Sequence, residues 1–216
     1  MIGLVDSGIC NLASVLRALH AVGAEVQIVT DPAQLSEISA IVLPGVGAFG
    51  DGMDSLRARG FVDPLRGVVD AGMPILGICL GMQLLLEESE EHGRHAGLGL
   101  LPGRVVRLKA DQPGFRVPNI GWSDVFPERG GVLFPAGMAA SAFYFVHSYY
   151  ADMPEGQIAA RIAFSGQHVA VAVEQNNICG VQFHPEKSQD AGLDLLARWV
   201  THVGAGVPAE RKENSK

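Results

Sequence analysis

The sequence contains little that would place it outside the compact globular proteins. Aromatic residues make up only 6% and charged residues only 18% of its 216 residues, and its three cysteines are widely spaced. An odd number of cysteines without a Cys-x-x-Cys pair predicts neither a disulfide framework nor a zinc site. We therefore expect no metal or other cofactor, and a reducing compartment such as the cytoplasm, where thiols stay free.

Positive charge is also scarce. The 16 Lys and Arg residues are outnumbered by 23 Asp and Glu, which gives a formal net charge of −7. Nucleic acids and anionic membrane surfaces are therefore poor candidates as partners. No apolar run reaches the roughly 18 residues of a membrane span. Asp6 interrupts the first apolar run, and no basic region precedes it, so we expect no signal peptide.

The N-terminal half alternates strand-like and helix-like segments. We predict helices at residues 11–22, 51–59 and 61–71, separated by strands at 2–6, 25–30, 40–43 and 74–78. This β-α-β order requires crossover connections and a parallel sheet. From residue 103 the pattern changes to short strands at 105–108, 142–146, 158–164 and 169–174, with turns at 152–156 and 165–166 that predict antiparallel hairpins.

The sequence therefore predicts a single α/β domain over residues 1–204. Its sheet is expected to be open and mixed, flanked by helices, with the antiparallel strands in the C-terminal half. Residues 205–216 lose the apolar pattern and end in a charged stretch, which predicts a flexible tail.

The most informative segment runs from Gly77 to Gln83. A short apolar strand, then a cysteine between two glycines, then the helix-forming residues 84–88 is the arrangement of a nucleophile elbow. The following helix would favour the thiolate of Cys79, and the backbone N–H of Leu80 could receive an oxyanion. The alternative is that Cys79 is simply a buried small hydrophobic residue.

A second segment, from Gly180 to Ser188, supplies the partners that a cysteine nucleophile needs. The predicted strand 177–183 ends next to His184, and reactive groups gather at such strand ends in parallel sheets. A thiolate requires a histidine as acid and base, and the histidine requires a carboxylate such as Glu186 to orient it. Taken singly, His184 could be a solvated loop histidine and Glu186 a helix N-terminal charge, but their occurrence together with the cysteine elbow argues against coincidence.

These segments resemble the class I (triad) glutamine amidotransferases, which carry a Gly-x-Cys-x-Gly-x-Gln elbow and a late His-Pro-Glu. Within this class, residues 44–50, 77–83, 97–106, 144–149 and 183–188 resemble the glutaminase subunits of imidazole glycerol phosphate synthases, over nearly the whole chain. The resemblance implies a flavodoxin-like fold and a catalytic triad of Cys79, His184 and Glu186.

The resemblance also implies the remaining parts of a glutamine site. The loop Gly45, Val46 and Gly47 would give a second oxyanion donor, although its glycines alone would indicate only a tight turn. The backbone at Ser148 and Tyr149 would hold the two ends of the substrate. Gln83 lies one helical turn after Cys79, so its amide could bond glutamine or be a buried polar residue. We expect His147 to be structural.

The family passes its ammonia to a (β/α)8-barrel cyclase subunit, so the resemblance implies a heterodimer with that partner. The docking surface would be the triad face, including Asn11, the turn 117–123 with Asn119, Tyr144 and Lys187. Trp122 is predicted either as an interface anchor or as a core residue. The chain departs from the family on this face at residues 7, 10, 119, 120 and 123.

Three functions remain open at this point. The first is the glutaminase of histidine biosynthesis, and the second is a paralogue that feeds ammonia to another synthase, such as one amidinating a surface sugar. The third is a binding or regulatory domain with a silent site. The intact triad argues against the third, while the substituted docking face leaves the second open.

Overall fold

The computed structural model describes residues 1–204; the predicted tail at 205–216 lies outside the described residues. Its α-helices, in chain order, are α1 Leu12–Ala21, α2 Phe49–Ala58, α3 Val62–Asp70, α4 Leu80–Leu84 and α5 Gln189–His202. Its strands are β1 Ile2–Val5, β2 Val26–Val29, β3 Ala40–Gly45, β4 Ile75–Cys79, β5 Leu86–Ser89, β6 His95–Ala96, β7 Leu101–Arg107, β8 Asn119–Pro127, β9 Ser141–His147, β10 Tyr149–Asp152, β11 Ile158–Phe164, β12 Gln167–Gln175 and β13 Ile178–Val181.

Most strands form one nine-stranded sheet with the order β2-β1-β3-β4-β13-β12-β11-β8-β9. The pairs from β2 to β13 are parallel, and those from β13 to β9 are antiparallel. The predicted open mixed sheet is thus confirmed. Because β3, β4 and β13 are parallel neighbours, their carboxyl ends lie side by side, and the register places Gly45 opposite Cys79.

The helices cover both faces of this sheet with apolar side chains. On one face, α1 and α5 contribute Val15, Leu19 and the fully buried Trp199 to one core cluster. On the other face, α2 and α3 contribute Met53 and Leu65 to a second cluster. Within residues 1–204, no helix has both the length and the apolar character needed to cross a membrane.

One predicted helix is wrong. The elbow helix α4 has only 5 residues, and the residues expected to extend it form strand β5 of a second, four-stranded sheet, with the order β10-β7-β5-β6. Leu84, Leu85 and Leu86 are all at most 1% exposed. Leu86 instead pairs with Leu101 of β7, so the second sheet takes up the chain directly after α4.

Two predicted turns are also corrected. The turn 152–156 does not close a hairpin: it leads from β10 in the small sheet to β11 in the large one, through a 3-10 helix at Glu155–Gln157. The segment 117–123 is mostly strand, because β8 begins at Asn119 and pairs with β9. The turn at 165–166 does join the antiparallel pair β11 and β12, as predicted.

Candidate active site

The nucleophile elbow is formed at the junction of β4 and α4. Cys79 has φ 55° and ψ −113°, a backbone conformation that only glycine adopts without strain. A Cβ on Gly81 would lie 1.8 Å from the Leu43 carbonyl oxygen, and one on Gly77 would lie 2.7 Å from the Met82 Cα. The two flanking glycines are therefore required by the close approach of β3 and α4 to the turn.

His184 and Glu186 meet Cys79 as predicted from their place after β13. His184 Nδ1 lies 2.8 Å from Glu186 Oε1, and the ring lines the same cavity as the Cys79 sulfur. Burial opposes protonation of His184, but the hydrogen bonds and charges of Cys79 and Glu186 outweigh it and raise its pKa to about 10. The ring is thus held as an imidazolium between a sulfur and a carboxylate.

These side chains border a cavity of about 380 Å³. Cys79 and His184 line it, and Glu186 lies behind them with a side chain only 2% exposed. The cavity is lined by most of the residues predicted to bind the oxyanion or glutamine: Val46, Gly47, Leu80, Gln83, Ser148 and Tyr149. Gly45 instead lines an adjoining cavity of about 20 Å³, together with Asn11 and Lys187.

Gln83 is buried, and its amide nitrogen is already engaged. The Nε2 atom donates to the Tyr149 carbonyl oxygen at 3.0 Å and to Gln182 Oε1 at 2.9 Å. Gln182 Nε2 in turn lies 3.9 Å from the Cys79 sulfur. The amide nitrogen of Gln83 therefore orders the cavity wall, which leaves its amide oxygen as the atom to face a ligand.

The two predicted oxyanion donors, the N–H groups of Leu80 and Val46, differ in their hydrogen bonding. Leu80 is the first residue of α4, so its N–H has no acceptor within that helix. The Val46 N–H donates to the Ile9 carbonyl at 2.9 Å and is turned away from the cavity. Gly47 follows with φ 98°, and a Cβ there would meet no atom within 4 Å.

His147 is buried and neutral, in agreement with its predicted structural role. Burial, helped by the nearby charge of His184 and opposed by the hydrogen bond to Tyr149, lowers the pKa of His147 to about 4. A base with that pKa cannot compete with His184 for the catalytic proton at neutral pH.

Glu91 is a cavity residue that the sequence analysis missed. It lines the cavity, and its Oε2 accepts from the Phe49 N–H at 2.7 Å, at the start of α2. It is the acidic side chain in the lining formed by residues 1–204. Nothing in the sequence marks it, because it belongs to a run of acids that includes Glu87, Glu88 and Glu90.

The residues predicted for the docking surface surround the same end of the sheet. Trp122 is 49% exposed, so it is not a core residue, and its ring packs edge-on against Tyr144 with centroids 6.0 Å apart. Asn11 caps α1 by accepting from the Ser14 N–H, and Lys187 lines the main cavity. Asn119 hydrogen-bonds to His147.

The other thiols lie outside this site. Cys179 is buried in β13, and desolvation raises its pKa to about 12, while Cys10 is half-buried and burial likewise raises its pKa. Among the described residues, no group of three or more His, Cys, Asp or Glu side chains is arranged to hold a metal ion.

Comparison with known proteins identifies relatives over almost the whole chain. Residues 3–203 match the family model described as glutamine amidotransferase class-I. The imidazole glycerol phosphate synthase subunit HisH of Desulfitobacterium hafniense (strain Y51) is 46% identical over 203 residues, 93% of this chain and 95% of that protein. The subunit of the same name from Symbiobacterium thermophilum is 47% identical over 197 residues, 91% of each chain.

Solved structures share the fold at lower sequence identity. A crystal structure of a glutamine amidotransferase aligns with a TM-score of 0.72 and 23% identity, covering 94% of this chain and 98% of the other. The structure of PurLQS from Thermotoga maritima aligns with a TM-score of 0.74 and 19% identity over the same shares. The chain therefore belongs to the class-I glutamine amidotransferase family, in which it is similar to the imidazole glycerol phosphate synthase subunit HisH.

Proposed function

We propose that this chain hydrolyses glutamine to glutamate and ammonia and passes the ammonia to a (β/α)8-barrel cyclase subunit. With that ammonia the cyclase makes imidazole glycerol phosphate and aminoimidazole carboxamide ribotide in histidine biosynthesis. One observation carries the proposal: Cys79 and His184 line the same cavity of about 380 Å³, and Glu186 lies 2.8 Å from His184, at the carboxyl ends of two parallel strands. The similarity to HisH subunits supports the choice of partner.

The first half of the reaction forms a thioester. The Cys79 thiolate attacks the carbon of the glutamine side-chain amide, a C–S bond forms, and the carbonyl electrons move to the oxygen. Backbone N–H groups at Leu80 and in the loop 45–47 stabilise the oxyanion. His184, whose pKa is raised to about 10, gives its proton to the nitrogen as the C–N bond breaks and ammonia leaves.

The second half hydrolyses the thioester. His184, now neutral, takes a proton from water, whose oxygen attacks the thioester carbon. The C–S bond breaks, and glutamate leaves while the thiolate and imidazolium are restored. Glu186, at 2.8 Å from Nδ1, fixes the orientation of the ring through both steps and stabilises its positive charge.

The remaining cavity residues select glutamine by its α-amino acid end. Glu91 presents a carboxylate to the cavity, which suits the α-ammonium group of the substrate. The backbone at Ser148 and Tyr149 holds the α-carboxylate and amino ends, and the amide oxygen of Gln83 faces the substrate. These residues therefore place polar groups where the α-amino and α-carboxylate ends of glutamine would bind.

The loop 45–47 provides a switch for this chemistry. The N–H of Val46 is bonded to Ile9 and has to turn towards Cys79 before it can stabilise an oxyanion. We place this turn in the active complex with the cyclase. The partner would dock on the face formed by Asn11, Asn119, Trp122, Tyr144 and Lys187. We also propose that residues 1–204 form one catalytic domain and that it acts in the cytoplasm, where Cys79 stays reduced.

Glutamate release from glutamine tests the proposal. The purified chain is assayed alone, with the cyclase subunit of its organism, and with that subunit and its ribotide ligand, each in parallel with Cys79→Ala. We expect strong stimulation by the liganded cyclase that vanishes in the variant. Thiol-dependent activity that ignores the cyclase would indicate another synthase as partner, and absence of activity in every mixture would overturn the proposal.

A further inference from the structure

Asn119 contacts a buried histidine in the wall of the glutamine cavity. It begins β8 and faces His147, the last residue of β9, in the antiparallel register. Its Nδ2 atom lies 3.1 Å from His147 Nε2, and the other ring nitrogen, Nδ1, lies 2.9 Å from the Tyr149 carbonyl oxygen. Both nitrogens of a ring that is 6% exposed therefore have partners.

These partners determine which nitrogen of His147 carries the hydrogen. A carbonyl oxygen only accepts, so Nδ1–H donates to Tyr149. In the neutral ring, Nε2 is then an acceptor, and the amide of Asn119 is the donor that faces it. Burial is the main cause that keeps the pKa of His147 at about 4, so the ring is neutral at physiological pH. Asn119 thus supports one tautomer of a neutral imidazole.

His147 is connected to Cys79 by a chain of hydrogen bonds in the cavity wall. The Tyr149 carbonyl that accepts from His147 also accepts from Gln83 Nε2, at 3.0 Å. The same amide group of Gln83 donates to Gln182, whose Nε2 lies 3.9 Å from the Cys79 sulfur. The hydrogen bonds therefore run without a break from the edge of β8 to the reactive sulfur.

The charge of His147 matters as much as its orientation. Among the described residues, His184 is the titratable group whose charge acts on the His147 ring. Because the charges of the two rings interact, two imidazolium rings here would repel each other, and a cation at His147 would disfavour the protonated His184. The proposed reaction requires that protonated His184 as the acid for ammonia release.

We propose that Asn119 is a positioning residue of this glutaminase. Its amide donor holds His147 neutral in the Nδ1–H tautomer. This tautomer aligns the Tyr149 carbonyl and Gln83, and the neutral ring leaves His184 as the positively charged histidine of the site. The catalytic part of this inference rests on the proposed function. Because β8 also carries the exposed Trp122 of the docking face, a displacement of this strand by the partner would reach the cavity through the pair of Asn119 and His147.

The substitution Asn119→Asp tests the inference because it preserves shape and replaces the donor by an acceptor. An aspartate facing Nε2 favours the imidazolium, so the pKa of His147 should rise by about 1 to 3, the usual effect of a neighbouring opposite charge. Imidazole ¹⁵N NMR of the full chain measures this, with His147→Gln to assign the signals. Asp124→Asn, an exposed position on the same strand, is the matched control and should leave His147 unchanged.

Glutaminase kinetics with the cyclase subunit supply the functional readout. We expect kcat/KM of Asn119→Asp to fall several-fold relative to Asn119→Ala as the pH is lowered from 8 to 6. His147→Gln has no titratable group at this position, so in its background the pH-dependent loss should disappear. A purely structural role for Asn119 would not produce a loss that depends on His147 and on pH.

Two results would overturn the inference: a His147 that stays neutral down to pH 5 in Asn119→Asp, or identical pH profiles for the two Asn119 variants. If the aspartate variant does not fold, Asn119→Ala carries the test, because loss of the donor to the neutral ring should still raise the pKa of His147 above 4. Failure of the proposed function is distinct, since it would appear as absent glutamate release by the unmodified complex.

Discussion

The backbone N–H of Val46 donates to the carbonyl oxygen of Ile9 at 2.9 Å. This N–H belongs to the glycine-rich loop that we propose as the second oxyanion donor, yet it is directed at the connection between β1 and α1. An oxyanion donor of this kind is worth about 3 kcal/mol in the transition state. Rotation of one peptide would therefore change the glutaminase rate by roughly two orders of magnitude.

Amide hydrogen exchange tests this switch. We expect the Val46 N–H to be protected in the isolated chain, and the protection at Val46 or Gly47 to change when the cyclase and its ribotide ligand are added. The N–H of Leu4, in the buried strand β1, serves as the reference and should exchange alike in both states. Equal protection of Val46 and Gly47 in both states would contradict the proposed rotation.

Backbone strain at Cys79 predicts an unusual order of stability for two inactive variants. Both Cys79→Ala and Cys79→Gly remove the sulfur, but only glycine relaxes the φ of 55°. The relief of about 1–3 kcal/mol exceeds the extra unfolded-state entropy of glycine, so the glycine variant should be more stable than the alanine variant by about 1 kcal/mol. Urea unfolding measures the difference, and a more stable alanine variant would show that the elbow is unstrained.

The close approach at Gly81 predicts that an added methyl group cannot be tolerated. Its Cβ would lie 1.8 Å from a backbone oxygen of β3, so Gly81→Ala should destabilise the fold by roughly 3 kcal/mol or more. Gly67→Ala is the control, because that glycine lies on α3 with no atom near its added Cβ. It should raise the melting temperature slightly, since alanine is the better helix former. Thermal unfolding of both variants checks the contrast.

Glu91 is predicted to bind the α-ammonium group of glutamine. The substitution Glu91→Gln keeps an oxygen for the Phe49 N–H but removes the charge, so KM for glutamine should rise about tenfold or more, with a smaller change in kcat. Glu90→Gln is the neighbouring control, because Glu90 bonds the Arg107 N–H outside the cavity. Steady-state glutaminase assays in the complex distinguish the two variants. Similar KM values for both would show that Glu91 does not bind the substrate.

The raised pKa of His184 predicts how stability depends on pH. Burial opposes the shift, but Cys79 and Glu186 hold the folded-state pKa at about 10, compared with 6.5 for an unperturbed histidine. Between these values His184 itself binds more protons in the folded chain than in the unfolded chain, so its own contribution is complete below pH 6.5 and declines as pH rises. In the Cys79→Ala background, which has no thiol to titrate, urea titrations at pH 6.5 and 8 should show a decline that is smaller when Glu186→Gln is added. An equal decline in both proteins would show that a group other than His184 causes the pH dependence.

The sequence alone predicted the mixed sheet, most helix boundaries and the three residues that meet in the triad. It did so because strand ends and glycine-flanked turns are local features: the elbow at Gly77 to Gly81 and the His184 segment each follow an apolar strand. The helix predicted at residues 11–22 likewise corresponds to α1, Leu12–Ala21. Family resemblance added the cavity residues, whose chemistry is mostly that of the backbone.

Other features depend on contacts between segments far apart in the chain, and no local pattern reveals them. Residues 84–88 look helical, but α4 ends at Leu84 and β5 begins at Leu86, where the chain pairs with the distant strand β7. Glu91 becomes a cavity residue only because α2 begins beside it, 42 residues earlier in the chain. The direction of the Val46 N–H and the pairing of Asn119 with His147 are set by strand register and loop packing. Local residue chemistry therefore determined which groups can react, and tertiary packing determined their neighbours, orientation and charge.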